Sequence, residues 1–327
     1  MKVFTFARQM ITICVFSMIL TFAPQSPAAS YTSLVVFGDS LSDSGNIFDL
    51  FGGALGPNAP FTEGRFTSKY TNGDPGLVWV EHLAAHISVP LDNSIAGGSN
   101  YAYGGARAQE DPSQLIPSLP DQLSFYYSDL SVVGATVDQT GLFVVYAGGN
   151  DVRDNDANNS GAAIGVVIQS LYDQGARNFL IPNLPDIGLT PESLAGLAPG
   201  GLAAVISAAT ATHNAGVAAQ LATLAGLEGI NIFDFDLFVL FNDILSDPAT
   251  FGLTNVNQAC AGLEPTNGFC IDPDTYLFFD GIHPTAIVHE MMGQWAYNAL
   301  NALPIAPSDD FCFPIKASNG NVVMICL

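Results

Sequence analysis

The stretch Ser33-Leu-Val-Val-Phe-Gly-Asp-Ser-Leu-Ser-Asp-Ser-Gly-Asn46 decides the reading of this chain. Its first part, Ser33 to Phe37, is a short apolar and β-branched run closed by Gly38, the pattern of a buried strand. Its second part exchanges bulk for small polar residues and sets a hydroxyl, Ser40, just past the strand's end. In an open parallel sheet the loops that leave the strand ends share one edge, and ligands bind there. Ser40 alone would read as a helix N-cap, where serine is favoured. The pattern also predicts a helix opening at Ser40, whose N-terminal dipole would favour negative charge.

Working outward, Leu142–Ala147, Asn178–Ile181 and Ile230–Phe233 repeat the strand pattern, each bounded by a breaker or turn residue. Helical patterns lie between and beyond them, over Leu77–Ile87, Ala162–Gln174, the Ala-rich Leu202–Leu224, and Ile287–Leu300. Strands alternating with helices predict a mainly parallel sheet covered on both faces. No internal repeat or linker divides the chain, so residues 31–327 are expected to form a single domain. Residues 49–76 and 246–275 read as long loops, which in a compact domain are often functional.

Two further motifs supply what a serine needs. Asp280-Gly-Ile-His-Pro284 holds a carboxylate and an imidazole in one short loop. The carboxylate of Asp280 can fix the tautomer of His283 and stabilise the imidazolium formed when the ring takes the Ser40 proton. General-base help of this kind is worth about 10²–10⁴-fold. An attacked ester carbonyl becomes an oxyanion, and each donor aimed at it contributes on the order of 3–4 kcal/mol. The candidate donors are the backbone N–H of Ser40, a backbone N–H at Gly105 or Gly104, and the side-chain amide of Asn150. The glycines lie in Asn100-Tyr-Ala-Tyr-Gly-Gly-Ala106, and Asn150 follows the second strand.

These four blocks, in this order, resemble those of the SGNH hydrolase superfamily, the GDSL esterases and lipases. Phe37–Asn46 is similar to its first block, Asn100–Ala106 to its second, Gly148-Gly-Asn-Asp151 to its third and Asp280–Pro284 to its fifth. Asn183-Leu-Pro-Asp-Ile-Gly188 also resembles the family's loop after its fourth strand. The resemblance implies a three-layer α/β/α sandwich with a mainly parallel five-stranded, flavodoxin-like sheet. It implies cofactor-free and metal-free hydrolysis of acyl esters by Ser40, His283 and Asp280, with Ser40, Gly105 and Asn150 as the oxyanion hole. The expected partner is a small-molecule or lipid ester. The surrounding wording is nearest to exported bacterial esterases and phospholipase-like proteins. No barrel translocator is expected after residue 327, and the Gly-x-Ser-x-Gly elbow of α/β-hydrolases is absent. Other outcomes remain open: a phospholipase or acyltransferase, a carbohydrate acetylesterase, a catalytically silent exported binding module, or a metal-dependent hydrolase using Asp280 and His283.

The remaining polar residues read as structural. His82 and His86, four apart, are expected to lie on a solvated or core-edge helix face, and His213 and His289 to be ordinary helix histidines. Asp151–Asp156 resembles half of a calcium loop but lacks its glycine and terminal glutamate, so a solvated acidic loop is expected. Asp39 is expected to hold its turn through an Asx-type bond. Phe48, Phe51, Phe61, Phe66 and Tyr70 would either line an acyl cleft or anchor their loop.

Residues 1–30 have the form of a secretory signal: basic Lys2 and Arg8, an apolar Met10–Ala23, and small residues around Ala28–Ser30. The apolar run is short of the about 18–20 residues a spanning helix needs, so a secreted or periplasmic protein without stable membrane insertion is expected. Residues 31–327 carry 6 basic and 30 acidic side chains, a net charge of −24. Such a surface repels phosphate backbones, which argues against nucleic acid as a partner. Four cysteines lie beyond the signal, and Cys260–Cys270 with Cys312–Cys326 is the favoured disulfide pairing among three. No CxxC or neighbouring histidine completes a zinc ligand set.

Overall fold

Four parallel strands form the sheet: β1 (Leu34–Gly38), β2 (Leu142–Tyr146), β3 (Asn178–Pro182) and β4 (Asn231–Phe235), hydrogen-bonded in that order. The computed structural model describes residues 30–54, 56–263, 270–302 and 304–305, with the backbone of 312–316 and 322–326. The expected signal segment lies outside the described residues. The register is in phase across β1 and β2, from Leu34 beside Leu142 to Gly38 beside Tyr146.

Alternate residues of each strand point to opposite faces, and both faces are buried. Leu34, Val36, Leu142, Val144, Tyr146, Leu180, Phe233 and Phe235 enter one core. There they meet α2 (Trp79–Ile87), α8 (Leu237–Ser246) and α9 (Ala286–Leu300). Val35, Phe37, Phe143, Val145, Phe179, Ile181 and Ile232 enter the other, against α3 (Leu119–Val133), α5 (Ser160–Asp173) and the C-terminal half of α7 (Ala203–Leu224). This is the expected α/β/α sandwich.

The five-stranded sheet is corrected to four strands among the described residues. The fifth position is held by a stretch too irregular to extend as a strand. Ser99–Tyr103 runs along the outer edge of β1, with Val36 N–H donating to Ser99 O at 3.1 Å and Tyr101 N–H to Val36 O at 2.7 Å. Only one bridge, Val36 with Asn100, forms there: Tyr103 N–H still donates to Gly38 O at 3.1 Å, but Gly38 N–H goes to a side chain instead of the edge stretch. A separate pair, β5 (Asn255–Ala259) and β6 (Tyr276–Phe278), lies within and just beyond the expected loop 246–275. Cys260–Cys270 is bonded beside it, with Cα atoms 5.2 Å apart. In the tail, β7 (Cys312–Lys316) and β8 (Val322–Cys326) pair antiparallel with Cys312 opposite Cys326. The bond expected between them concerns side chains outside the described residues.

At Gly38 a side chain enters the edge pairing of β1. Gln122 of α3 accepts from Gly38 N–H at 2.9 Å and donates to Gly38 O at 2.8 Å. Gln122 is fully buried, and the Gly38 it holds lies two residues before Ser40. Gln122→Ala leaves a buried Gly38 N–H without an acceptor, a loss of about 1–3 kcal/mol. Urea unfolding should show that loss; an unchanged midpoint would mean that water replaces the amide.

Candidate active site

Ser40 leaves β1 in a tight turn. Ser42 and Asp43 N–H both donate to Asp39 O at 3.0 Å, and Leu41 N–H donates to the Asp39 carboxylate at 3.1 Å. The Asx role expected of Asp39 is therefore met. The helix expected at Ser40 is not, and the first helix, α1 (Asn46–Leu50), begins six residues later. The cause is Asp43, whose carboxylate accepts from Gly45, Asn46, Ile47 and Gly104 N–H. It draws the chain into a second turn. The Ser40 N–H meets no acceptor among the described residues and stays available to a ligand.

The loop after β6 brings the other two groups. Phe279 N–H donates to His283 O at 2.8 Å, closing the loop on itself. Inside it, Asp280 Oδ1 accepts from the backbone N–H of Ile282 and of His283, at 2.9 and 2.6 Å. Asp280 Oδ2 is then 2.7 Å from His283 Nδ1, and His283 Nε2 is 2.9 Å from Ser40 Oγ. A carboxylate only accepts, so Nδ1 carries the proton and Nε2 receives the Ser40 hydroxyl. Burial raises the Asp280 pKa, but the His283 charge and these hydrogen bonds outweigh it and hold the carboxyl below its usual range. All three side chains are mostly buried.

Two segments bring the remaining candidates to the same edge. Gly105 adopts φ +85°, a conformation natural to glycine. Gly104 N–H is taken by Asp43 at 2.8 Å, whereas Gly105 N–H meets no acceptor among the described residues. Asn150 opens the short helix α4 (Gly149–Arg153), directly after β2. One amide hydrogen goes to Ala106 O at 2.8 Å, which leaves the second. Ahead of it, Gly148 sits at φ +113°, where a Cβ would lie 2.2 Å from the buried His213 ring.

The acidic stretch is not the solvated loop expected. Asp151 is fully buried and accepts from Ala108 N–H at 2.9 Å and from Gln109 Nε2 at 3.1 Å. Asp154 and Asp156 both pair with Arg107. These carboxylates clamp the glycine loop to α4. The sequence signal for this lay in Arg107 itself, a cation beside a glycine pair in a chain nearly devoid of cations.

The other histidines stand apart from Ser40. His213 bonds Ser160 Oγ at 2.7 Å, and burial lowers its pKa to about 4. His289 accepts from Trp79 N–H at 3.2 Å, and burial lowers its pKa to about 3. His82 is half-buried, and His86 stacks on Tyr297. Phe66 and Phe61 pack on His283, with ring centroids 5.1 and 6.2 Å away, so these two serve as loop anchors. The cleft above Ser40 is walled instead by Leu41, Leu184, Ile187 and Ile282, with Arg153 and Thr190 also in its lining.

A serine hydroxyl, imidazole and carboxylate in series at the edge of a parallel sheet define an arrangement of serine-hydrolase type. The chain belongs to the GDSL-like lipase/acylhydrolase family, whose model matches residues 34–296. It is 30% identical to Esterase EstA of Pseudomonas aeruginosa over 337 residues, covering 90% of this chain and 50% of that protein. It is 26% identical to Lipase 1 of Photorhabdus luminescens, covering 86% and 52%. Phosphatidylcholine-sterol acyltransferase of Aeromonas hydrophila is 26% identical, covering 76% and 72%. The chain thus spans about half the length of the first two relatives. Among solved structures, a lipolytic G-D-S-L family protein from Veillonella parvula matches with TM-score 0.40 at 17% identity, covering 81% of this chain and 96% of its own. No helix among the described residues is long and apolar enough to cross a membrane.

Asp39 floors the cleft, and burial raises its pKa to about 7 despite the Leu41 N–H. Between about pH 4 and 7 the unfolded carboxyl is ionised while the folded one keeps its proton. The folded state then binds more protons, and this group's contribution to stability falls as pH rises. Asp39→Asn keeps the Asx acceptor and removes the titration. Its melting temperature should gain on wild type progressively from pH 4 to 7 and by a constant amount above; a difference independent of pH would refute the shift.

Proposed function

We propose that this chain is an exported serine esterase or lipase in which Ser40 is the nucleophile, His283 the general base and Asp280 its orienting carboxylate. The observation that carries the reading is the unbroken hydrogen-bond series from Ser40 Oγ through His283 to Asp280. As Ser40 Oγ bonds to the acyl carbon, its proton passes to His283 Nε2. The carbonyl oxygen gains the negative charge and is met by the free N–H groups of Ser40 and Gly105 and the spare amide hydrogen of Asn150. Collapse of this adduct breaks the bond to the alcohol oxygen, which leaves with the proton from His283. Water then repeats the sequence on the acyl-enzyme and releases the acid. The residues Leu41, Leu184, Ile187 and Ile282 give the acyl chain an apolar wall.

An alcohol in place of water would make the same site an acyltransferase. The relation to the Aeromonas acyltransferase supports testing for that outcome. Export rests on the signal-like residues 1–30, and N-terminal sequencing of the secreted form should start near residues 29–31.

Hydrolysis of p-nitrophenyl esters from acetyl to palmitoyl, and of phosphatidylcholine, sets the acyl preference. Ser40→Ala should be inactive and resist a fluorophosphonate label, and a rate equal to wild type would remove the mechanism. Asn150→Ala should fall about 10²–10³-fold in kcat with little change in KM; an unaltered kcat would exclude the amide from the oxyanion site.

A further inference from the structure

Arg153 closes α4 one turn after Asn150 and lines the cleft. Its Nε and Nη2 donate to the two oxygens of Glu192 at 2.8 and 2.6 Å, a two-pronged, charge-assisted pair. Glu192 lies in the first turn of α6 (Pro191–Leu194) and its carboxylate side chain is only 15% exposed. The same residue's backbone N–H donates to Gly281 O at 2.9 Å. Gly281 stands between Asp280 and His283. A Cβ on Gly281 would come 3.2 Å from Glu192 Cβ, so the two segments are in close contact. One path of strong bonds therefore joins the helix that presents Asn150 to the loop that presents the imidazole.

We propose that Arg153 and Glu192 are positioning residues, a strut that sets the His283 loop at its working distance from Ser40 and Asn150. The inference rests on the serine-hydrolase reading above. Within the loop Asp280–His283 the bonds are internal; from outside, Gly281 N–H also donates to Leu263 O at 3.1 Å, a bond that does not tie the loop to α4. Gly281 O is a point where an outside group holds it, and Glu192 is steered to that point by Arg153. Without the pair, the loop keeps its internal shape while His283 and the oxyanion donors lose their common frame.

Misplacement of a catalytic group by about 1 Å costs about 10²-fold, so Arg153→Ala and Glu192→Ala should each lose about 10- to 100-fold in kcat, with KM within about twofold. The rate of fluorophosphonate labelling at Ser40 should fall in parallel. The double variant should be no worse than either single one, and the exchange Arg153→Glu with Glu192→Arg should recover part of the loss. Arg153→Lys keeps the charge without the fork and serves if the alanine variant does not fold; it should lose kcat in the same direction. A folded variant with wild-type kcat would overturn the strut. So would a raised KM at unchanged kcat, which would place Arg153 on the substrate instead. Ser40→Ala in the same assay separates the two levels: its inactivity beside an unimpaired Arg153→Ala defeats the strut alone, and its activity defeats the underlying reading.

Discussion

The sheet is buried on both faces, and everything else follows from that constraint. Leu34 to Phe37 and Leu142 to Val145 give no face to water, so a polar group can reach a substrate only where a strand ends. Gly38 ends β1 and delivers Ser40. Tyr146 ends β2 and delivers Asn150. The parallel register from Leu34–Leu142 to Gly38–Tyr146 makes these two ends neighbours, although they are far apart in sequence. The Asp280–His283 loop follows β6, outside this sheet, and needs a separate means of being held.

The loops around Ser40 are held in turn by buried carboxylates and amides. In a chain so acidic the obvious use of Asp and Glu is a hydrated surface, yet several are spent inside. Asp43 collects four backbone N–H groups from two segments. Asn46 donates to Asn100 O and Ala102 O, and Asn100 donates to Ser42 O and Ser44 Oγ. A buried polar group without partners costs more than the bond it could make is worth. These residues therefore specify one arrangement of the loops around Ser40 rather than adding much net stability.

The layers and the meeting of Ser40, His283 and Asp280 were legible because periodicity and motif spacing are local properties. Four strands, four long helices and the Ser40, Asn150, Asp280 and His283 positions could be read from such patterns. The failures are non-local. The helix expected at Ser40 yields to Asp43, whose partner Gly104 lies far along the chain. The fifth strand shrinks to an edge stretch where the distant Gln122 amide takes the Gly38 N–H. α3 escapes because Leu119–Val133 mixes tyrosine, serine and aspartate with its apolar residues, and only packing on Phe37 and Phe143 shows which face is inside. The choice between Gly104 and Gly105 depends on a carboxylate that no local spacing points to.

The same contrast separates His283 from the two fully buried histidines, His213 and His289. Basicity at neutral pH requires that the charged imidazolium be tolerated, and burial alone opposes it. His213 and His289 are buried against a hydroxyl and a backbone N–H, neither of which stabilises a positive ring, and both are driven toward the neutral form. His283 is as secluded but has Asp280 at its Nδ1. Asp280 is in turn kept ionised, against its burial, by the His283 ring and by two backbone N–H groups of its own loop. The Gly281-Ile282 spacer lets the acid reach the next residue's N–H and ring together. A triplet of residue types does not by itself make a hydrogen-bond series; the backbone bonds inside a five-residue loop align Asp280 with the His283 ring.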